Sequence, residues 1–138
     1  GLSSEHKESR KDVTMIQKIR AWDKTNKVMY NVKQIDFRGG DFRSSENEWI
    51  KFDNVIFMQS TGLKDKNEVE IFEGDIVKPV SFASWIGVVK YSSENAAYIL
   101  DDHNNELIRG ENVYLSQFNE GLEVIGNIYE NPELMEVE

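Results

Sequence analysis

The sequence predicts a mostly β protein, a β-rich α+β fold at most. It should consist of short twisted strands, with an SH3-like small barrel in its C-terminal half and a short C-terminal helix. Three observations lead there. Apolar residues recur with period two in short runs, turn residues break those runs at close spacing, and little of the chain invites a helix.

The elements follow in order. Residues 1–14 are polar, with only Leu2 and Val13 as sizeable apolar side chains, and are expected to be a disordered leader or residues added to the natural chain. Met15 opens the patterned sequence, so 15–138 is expected to be one domain, with 15–68 and 69–138 as candidate subdomains. Val28, Tyr30 and Val32 alternate, and Ile35 and Phe37 alternate in the opposite phase. A period of two that slips by one predicts a bulge or break near Lys33-Gln34. Gly39-Gly40-Asp41 ends that segment, and Trp49–Phe52 and Val55–Met58 flank the turn pair Asp53-Asn54, as a tight hairpin or one bent strand. Residues 61–67 read as a turn leading into Val69–Phe72, and Glu73-Gly74-Asp75 as a corner before Ile76-Val77-Lys78.

Pro79 cannot donate to a ladder, so its strand lies at an edge or stops there. Trp85–Tyr91 is apolar on both faces, as a strand covered on both sides requires. Tyr98–Leu100 and Glu106–Ile108 flank the polar loop 101–105 as a hairpin. Leu122, Val124 and Ile128 share a face that Gly126 interrupts. Asn131-Pro132-Glu133 is a helix start, a capping residue followed by proline. The stretch 71–128 thus holds five or so short strands, the scale of an SH3-like barrel.

Composition excludes several functions. With 138 residues, three Trp, five Tyr and seven Phe, the chain can bury a core. It has no cysteine, which removes disulfides, thiolate metal sites and cysteine nucleophiles. No apolar stretch approaches a membrane span, no charged-then-apolar leader is present and no Asn-x-Ser/Thr sequon occurs, so a cytoplasmic protein is expected. The net charge of −9 disfavours non-specific docking on nucleic acid or anionic lipid.

Four islands carry a family resemblance. They are Lys18-Ile19-Arg20-Ala21-Trp22-Asp23 with Met29-Tyr30; Met58-Gln59-Ser60-Thr61-Gly62-Leu63-Lys64-Asp65-Lys66-Asn67; Glu70-Ile71-Phe72-Glu73-Gly74-Asp75-Ile76-Val77; and Val124-Ile125-Gly126-Asn127-Ile128-Tyr129-Glu130-Asn131-Pro132-Glu133-Leu134. In order and spacing the chain resembles the YopX family of phage and prophage proteins. The resemblance implies a β-rich protein of temperate phages of Gram-positive bacteria, acting inside the host cell, and brings no assigned activity and no catalytic set. Trp22, Thr61, Gly62, Gly74, Asp75, Gly126 and Asn127 are taken as residues of a structural motif. The chain departs from the family pattern at Ser60, often aromatic, and at Glu68, often glycine. Asn67-Glu68 is a weaker turn than Asn-Gly and should place Glu68 without left-handed strain.

No constellation for chemistry emerges, so no catalytic, cofactor or metal residue is assigned. His6 lies in the polar leader and His103 in a loop, without a nucleophile elbow to pair with. Read as a calcium loop from Asp102, the chain puts Leu107 and Val113 where glycine and glutamate belong. Asp75 and Lys78 resemble part of a metal-dependent nuclease, but their odd separation points them to opposite strand faces. There, Gly74 more simply supplies a special backbone conformation and Asp75 caps the turn. Trp22, Trp49, Trp85, Tyr91, Tyr98 and Phe118 could stack nucleobases, though only Arg20, Lys51 and Lys90 accompany them closely. Most are expected in the core and one or two at an interface. Gly39-Gly40 lacks the rest of a phosphate loop. The expected function is therefore association, with a second copy or with a host or phage protein, through the open edges of small sheets. A nucleic-acid-binding barrel and a carboxylate–metal enzyme are the alternatives, and an anionic mimic of nucleic acid is a further strategy that the charge permits.

Overall fold

Residues 18–80, 85–101, 113–118 and 121–136 are described by a computed structural model. Its strands are β1 (Ile19–Asp23), β2 (Val28–Asp36), β3 (Asp41–Ser44), β4 (Trp49–Lys51), β5 (Val55–Lys64), β6 (Glu70–Phe72), β7 (Asp75–Pro79), β8 (Gly87–Ser92), β9 (Ala97–Asp101), β10 (Val113–Tyr114) and β11 (Leu122–Asn127). Two single turns of 3-10 helix, Leu115–Gln117 and Pro132–Met135, complete the described elements. The mostly β expectation holds. The strands form two antiparallel sheets, ordered β4-β3-β2-β1-β5-β6 and β10-β9-β8-β7-β11. No helix among the described residues is long and apolar enough to cross a membrane.

The first sheet must curl. Three strands separate β4 from β5 in the sheet order, which in a flat sheet is about 19 Å. The chain joins them in four residue steps, a reach of at most about 14 Å. Across the resulting hollow the ring centroids of Phe42 and Phe57 lie 5.5 Å apart, although β3 and β5 are not neighbours, and those of Phe57 and Phe52, just past β4, lie 5.2 Å apart. Tyr30 and Phe37 extend this aromatic row at its ends. Trp49–Phe52 and Val55–Met58 are therefore neither a hairpin nor one bent strand. Asp53-Asn54 does reverse the chain, but the strands on either side pair elsewhere, because the aromatic row has curled the sheet between them.

The period-two slip is real: the β2–β3 register shifts between Val32 and Gln34, leaving Lys33 as the extra residue. Further on, the sequence reading needs correcting. Strand β5 runs to Lys64, so 61–63 belong to a bulge opposite β6 rather than to a turn, and Gly62 there has φ +81°. β7 stops at Pro79 but is not an edge, since β8 and β11 flank it. The described strands of the C-terminal half form an open five-stranded sheet, not a closed barrel. The C-terminal helix is a single 3-10 turn, and Asn131 gives it no side-chain cap. Its Oδ1 accepts instead from the Asn127 N–H. Of the expected hairpin, Tyr98–Leu100 lies in β9, whereas loop residues 102–105 and the second arm Glu106–Ile108 lie outside the described residues, as does the whole of 1–14.

One device recurs at the turns, and it explains much of the acidic composition. In four of the turns a short polar side chain opens the turn and accepts from the N–H groups that the turn exposes. Asp23 Oδ1 accepts from Thr25 and Asn26, Asp36 Oδ1 from Arg38 and Gly39, Ser44 Oγ from Glu46 and Glu48, and Asp65 Oδ1 from Asn67 and Val69. Several turns close on a left-handed residue, including Lys27, Asn47 and Glu68. Glu68 has φ +67°, contrary to the expectation of an unstrained position. The bonds to Asp65 on either side of it fix the turn, and the side chain accepts the strain.

The second sheet packs its core on one face: Val77, Val89, Leu100 and Leu122 from the strands, with Ile71, Trp85 and Leu115. Ile71 comes from β6 of the first sheet, so the two sheets share this core.

Candidate functional site at the sheet junction

The chain passes from one sheet to the other at Glu73-Gly74. Gly74 adopts φ +90°, and a Cβ there would lie 3.2 Å from Tyr129 Cε2 and 3.4 Å from Met58 Sδ. Its N–H donates to Val89 O, and its carbonyl accepts from Ile128 N–H. Any side chain would thus be strained twice, by the backbone and by two neighbours.

Beside this corner, Asp75 is 1% exposed. Its Oδ2 accepts from Phe72 N–H at 2.8 Å, and its Oδ1 from the Arg20 guanidinium of β1. Arg20 also lies over the Phe72 ring, 4.6 Å from its centroid, while its Nε has no partner. Burial pushes the Asp75 pKa above the usual carboxylate range, and the Arg20 charge and the Phe72 N–H pull against that rise without cancelling it. The pair spans both sheets, Arg20 in the first and Asp75 in the second.

Two further arms reach across. Trp22 of β1 stacks on Tyr129, ring centroids 6.1 Å apart, and burial raises the Tyr129 phenol. Asp65 Oδ2 accepts from Val124 N–H of β11 at 3.0 Å, and Lys66 N–H donates to Leu122 O at 2.8 Å. These bonds occupy the outer edge of β11. Burial works against ionised Asp65, yet its three backbone donors Val124, Val69 and Asn67, helped by Lys66, outweigh it and lower its pKa.

The residues taken as a structural motif fall on this junction and its margin. Trp22, Gly74 and Asp75 meet in it. Asn127, paired with Asp75 in the β7–β11 register, accepts from Tyr129 and Glu130 N–H through Oδ1 and so shapes the turn that presents Tyr129. Gly126 leaves room for Asn131, whose Oδ1 would be 2.6 Å from an added Cβ. Thr61 and Gly62 sit in the β5–β6 bulge, where Thr61 Oγ1 donates to Ile71 O. Sequence reading missed Arg20 and Tyr129 as partners. Both lie inside the quoted islands, and Arg20 shares its face of β1 with Trp22.

The junction opens to solvent in a groove of about 600 Å³ lined by Trp22, Tyr129, Lys24, Lys27, Glu130 and Glu133 among others. Aromatic rings between lysines and glutamates line it. No group of three or more His, Asp or Glu able to hold a metal exists among the described residues. His6 and His103 lie outside them. Of the aromatics considered for stacking, Trp22 and Trp85 are buried, whereas Trp49 and Tyr91 are exposed.

The YopX protein family model matches residues 18–136, the whole span of the described residues. The chain belongs to the YopX family. The crystal structure of protein EF1440 from Enterococcus faecalis is similar, with 31% identity and a TM-score of 0.59, over 88% of this chain and 99% of that one. The crystal structure of protein yopX from Bacillus subtilis shares the fold at 18% identity and a TM-score of 0.52, over 86% of this chain and 98% of that one. No curated protein matches the sequence.

Proposed function

We propose that this YopX-family chain is a phage or prophage accessory protein of the bacterial cytoplasm that works by association, as a non-catalytic module binding its own copies or a host protein. The described carboxylates that are buried have structural employment: Asp23 and Asp65 hold turns, and Asp75 holds the junction. What remains free is a surface. The observation that carries the reading is β4, the last strand of the first sheet, which among the described residues ends in an open edge bearing Trp49 at 49% exposure. Phe37, in the β2–β3 turn at the same end of that sheet, is 80% exposed. Open edges and exposed rings are the features by which small sheets recruit another chain. Light scattering on the purified protein at tens of micromolar, with capture from infected or lysogenic host lysate, tests this. A strict monomer that captures nothing would refute it.

Nucleic-acid binding is the second reading, and one observation favours it: Trp49 pairs with Arg43 across the β3–β4 ladder and lies two residues from Lys51 on the same face. Titration of single- and double-stranded oligonucleotides at low salt tests it, and absence of retardation there would dismiss it.

A further inference from the structure

The open edge of β4 has a geometry that fits one partner better than others. Ser44 N–H donates to Glu48 O at 2.8 Å and Phe52 N–H to Gly40 O at 2.9 Å. In an antiparallel ladder, hydrogen-bonded and non-bonded pairs alternate. Between those two bonded pairs, Phe42–Ile50 is therefore bonded too, and Trp49 and Lys51 aim both N–H and C=O away from β3. Each copy of the chain thus presents four backbone groups, two donors and two acceptors, that have no partner among the described residues, on successive outward positions.

We infer that β4 pairs antiparallel with β4 of a second copy of this chain, about a two-fold axis through Ile50. This rests on the association reading and names its partner and register. With Ile50 on the axis, Trp49 lies opposite Lys51 of the second copy, and Lys51 opposite its Trp49. Each of these pairs exchanges two N–H to C=O bonds, so every outward donor and acceptor of both strands is used. Centring the axis on Lys51 would set lysine against lysine, and centring it on Trp49 would leave half the groups to the turn at Asn47. A lysine on a bare edge ordinarily discourages pairing. Here it works the other way, because side chains directly opposite in such a pair stand about 5 Å apart at Cβ. The Lys51 ammonium then meets the half-exposed Trp49 ring of its partner, a cation–π contact. The result is isologous, and it joins two six-stranded sheets edge to edge. A three-residue strand buries less than the ~1,000 Å² of stable interfaces, so the dimer is weak and reversible.

Sedimentation velocity on the full chain, from about 10 to about 500 µM, reads the association in the range where small interfaces assemble. The expected result is a concentration-dependent monomer–dimer equilibrium. Lys51→Pro removes an outward donor without costing a β3–β4 ladder bond, so the dimer should weaken at least tenfold. Lys51→Glu, which keeps the backbone intact, should weaken it similarly, and Lys51→Arg should preserve it. Circular dichroism and melting checks that each variant is folded. A wild-type monomer throughout that range overturns the inference, and it leaves binding of a host protein to the lysate capture. Self-association that survives both Lys51→Pro and Lys51→Glu overturns this register while the association reading stands. A monomer that instead binds oligonucleotide through Trp49, lost in Trp49→Ala, overturns it in favour of a nucleic-acid face.

Discussion

Removing Arg20 should make the stability of the protein depend on pH in a particular direction. In Arg20→Met the apolar stem is replaced and the charge is lost, leaving the Asp75 carboxyl buried at 1% exposure with one remaining donor, the Phe72 N–H. Breaking a buried pair from one side costs about 3–5 kcal/mol when the surviving charge has nowhere to go. Asp75 has an escape, because it can take up a proton. Its folded pKa is already raised by burial with Arg20 present, and Arg20 is the first influence opposing that rise. Without the guanidinium it climbs further. A carboxyl raised above its unfolded value of about 3.9 binds more protons folded than unfolded. Stability is then fully present below that value and falls as pH rises through the folded pKa, by up to about 1.4 kcal/mol per unit. Urea unfolding at pH 5 and pH 7 reads this directly. The variant should lose the full ~3–5 kcal/mol at pH 7 and less at pH 5. Adding Asp75→Asn removes the titrating group and should erase the difference. Equal losses at the two pH values in Arg20→Met would refute the argument that Arg20 is what keeps Asp75 ionised.

Three other outcomes follow from the same geometry. Gly74→Ala should cost about 2–4 kcal/mol in urea midpoint terms, from the positive φ and from contacts with Tyr129 and Met58, with an unchanged m-value. Glu68→Gly should stabilise by about 0.5–1 kcal/mol, since relief of left-handed strain at φ +67° exceeds the entropy that glycine adds to the unfolded chain. Asp65→Ala should destabilise by about 3 kcal/mol, because the N–H groups of Asn67, Val69 and Val124 lose their acceptor together. The Asp65 and Asp23 pKa values are lowered in the fold, so the stability these groups contribute is present above about pH 4 and lost as pH falls through their folded values. A thermal melt series from pH 5 to pH 2.5 should therefore show a shallower decline in Asp65→Ala than in the wild type.

The parts of this fold that sequence reveals are those set by neighbours along the chain. The slip at Lys33 is legible because the pleat alternates residue by residue, and an extra residue must shift the phase. The corner at Gly74 is legible because glycine between two acidic turn residues has few other uses. Asp53-Asn54 shows where legibility stops. The pair says that the chain turns, but whether β4 then lies against β5 depends on the curl, and the curl depends on Phe42 and Phe57 meeting across strands that are not adjacent. Arg20 and Asp75 stand 55 residues apart, and neither carries a local mark of the other. Glu68 misled for a related reason. Its own preference argues against φ +67°, and bonds to Asp65 overrule it.

The four islands that carry the family resemblance prove, in three dimensions, to be neighbours. The first gives Arg20 and Trp22, the second Met58 and Asp65, the third Gly74 and Asp75, the fourth Val124 and Tyr129. Arg20 pairs with Asp75, Trp22 stacks on Tyr129, Asp65 accepts from the Val124 backbone N–H, and Gly74 leaves room for Met58 and Tyr129. What the resemblance transmits is thus a way of fastening one sheet to the other, a requirement of folding that holds whatever the protein binds. β4 belongs to none of the islands and lies at the opposite end of its sheet from β6 in the strand order. A change at Trp49 or Lys51 therefore alters the exposed edge without disturbing the junction, and the junction can be identical in two proteins whose edges recognise different things. On the association proposed above, partner choice is accordingly to be sought at β4, by the substitutions that leave Arg20, Gly74 and Asp75 untouched.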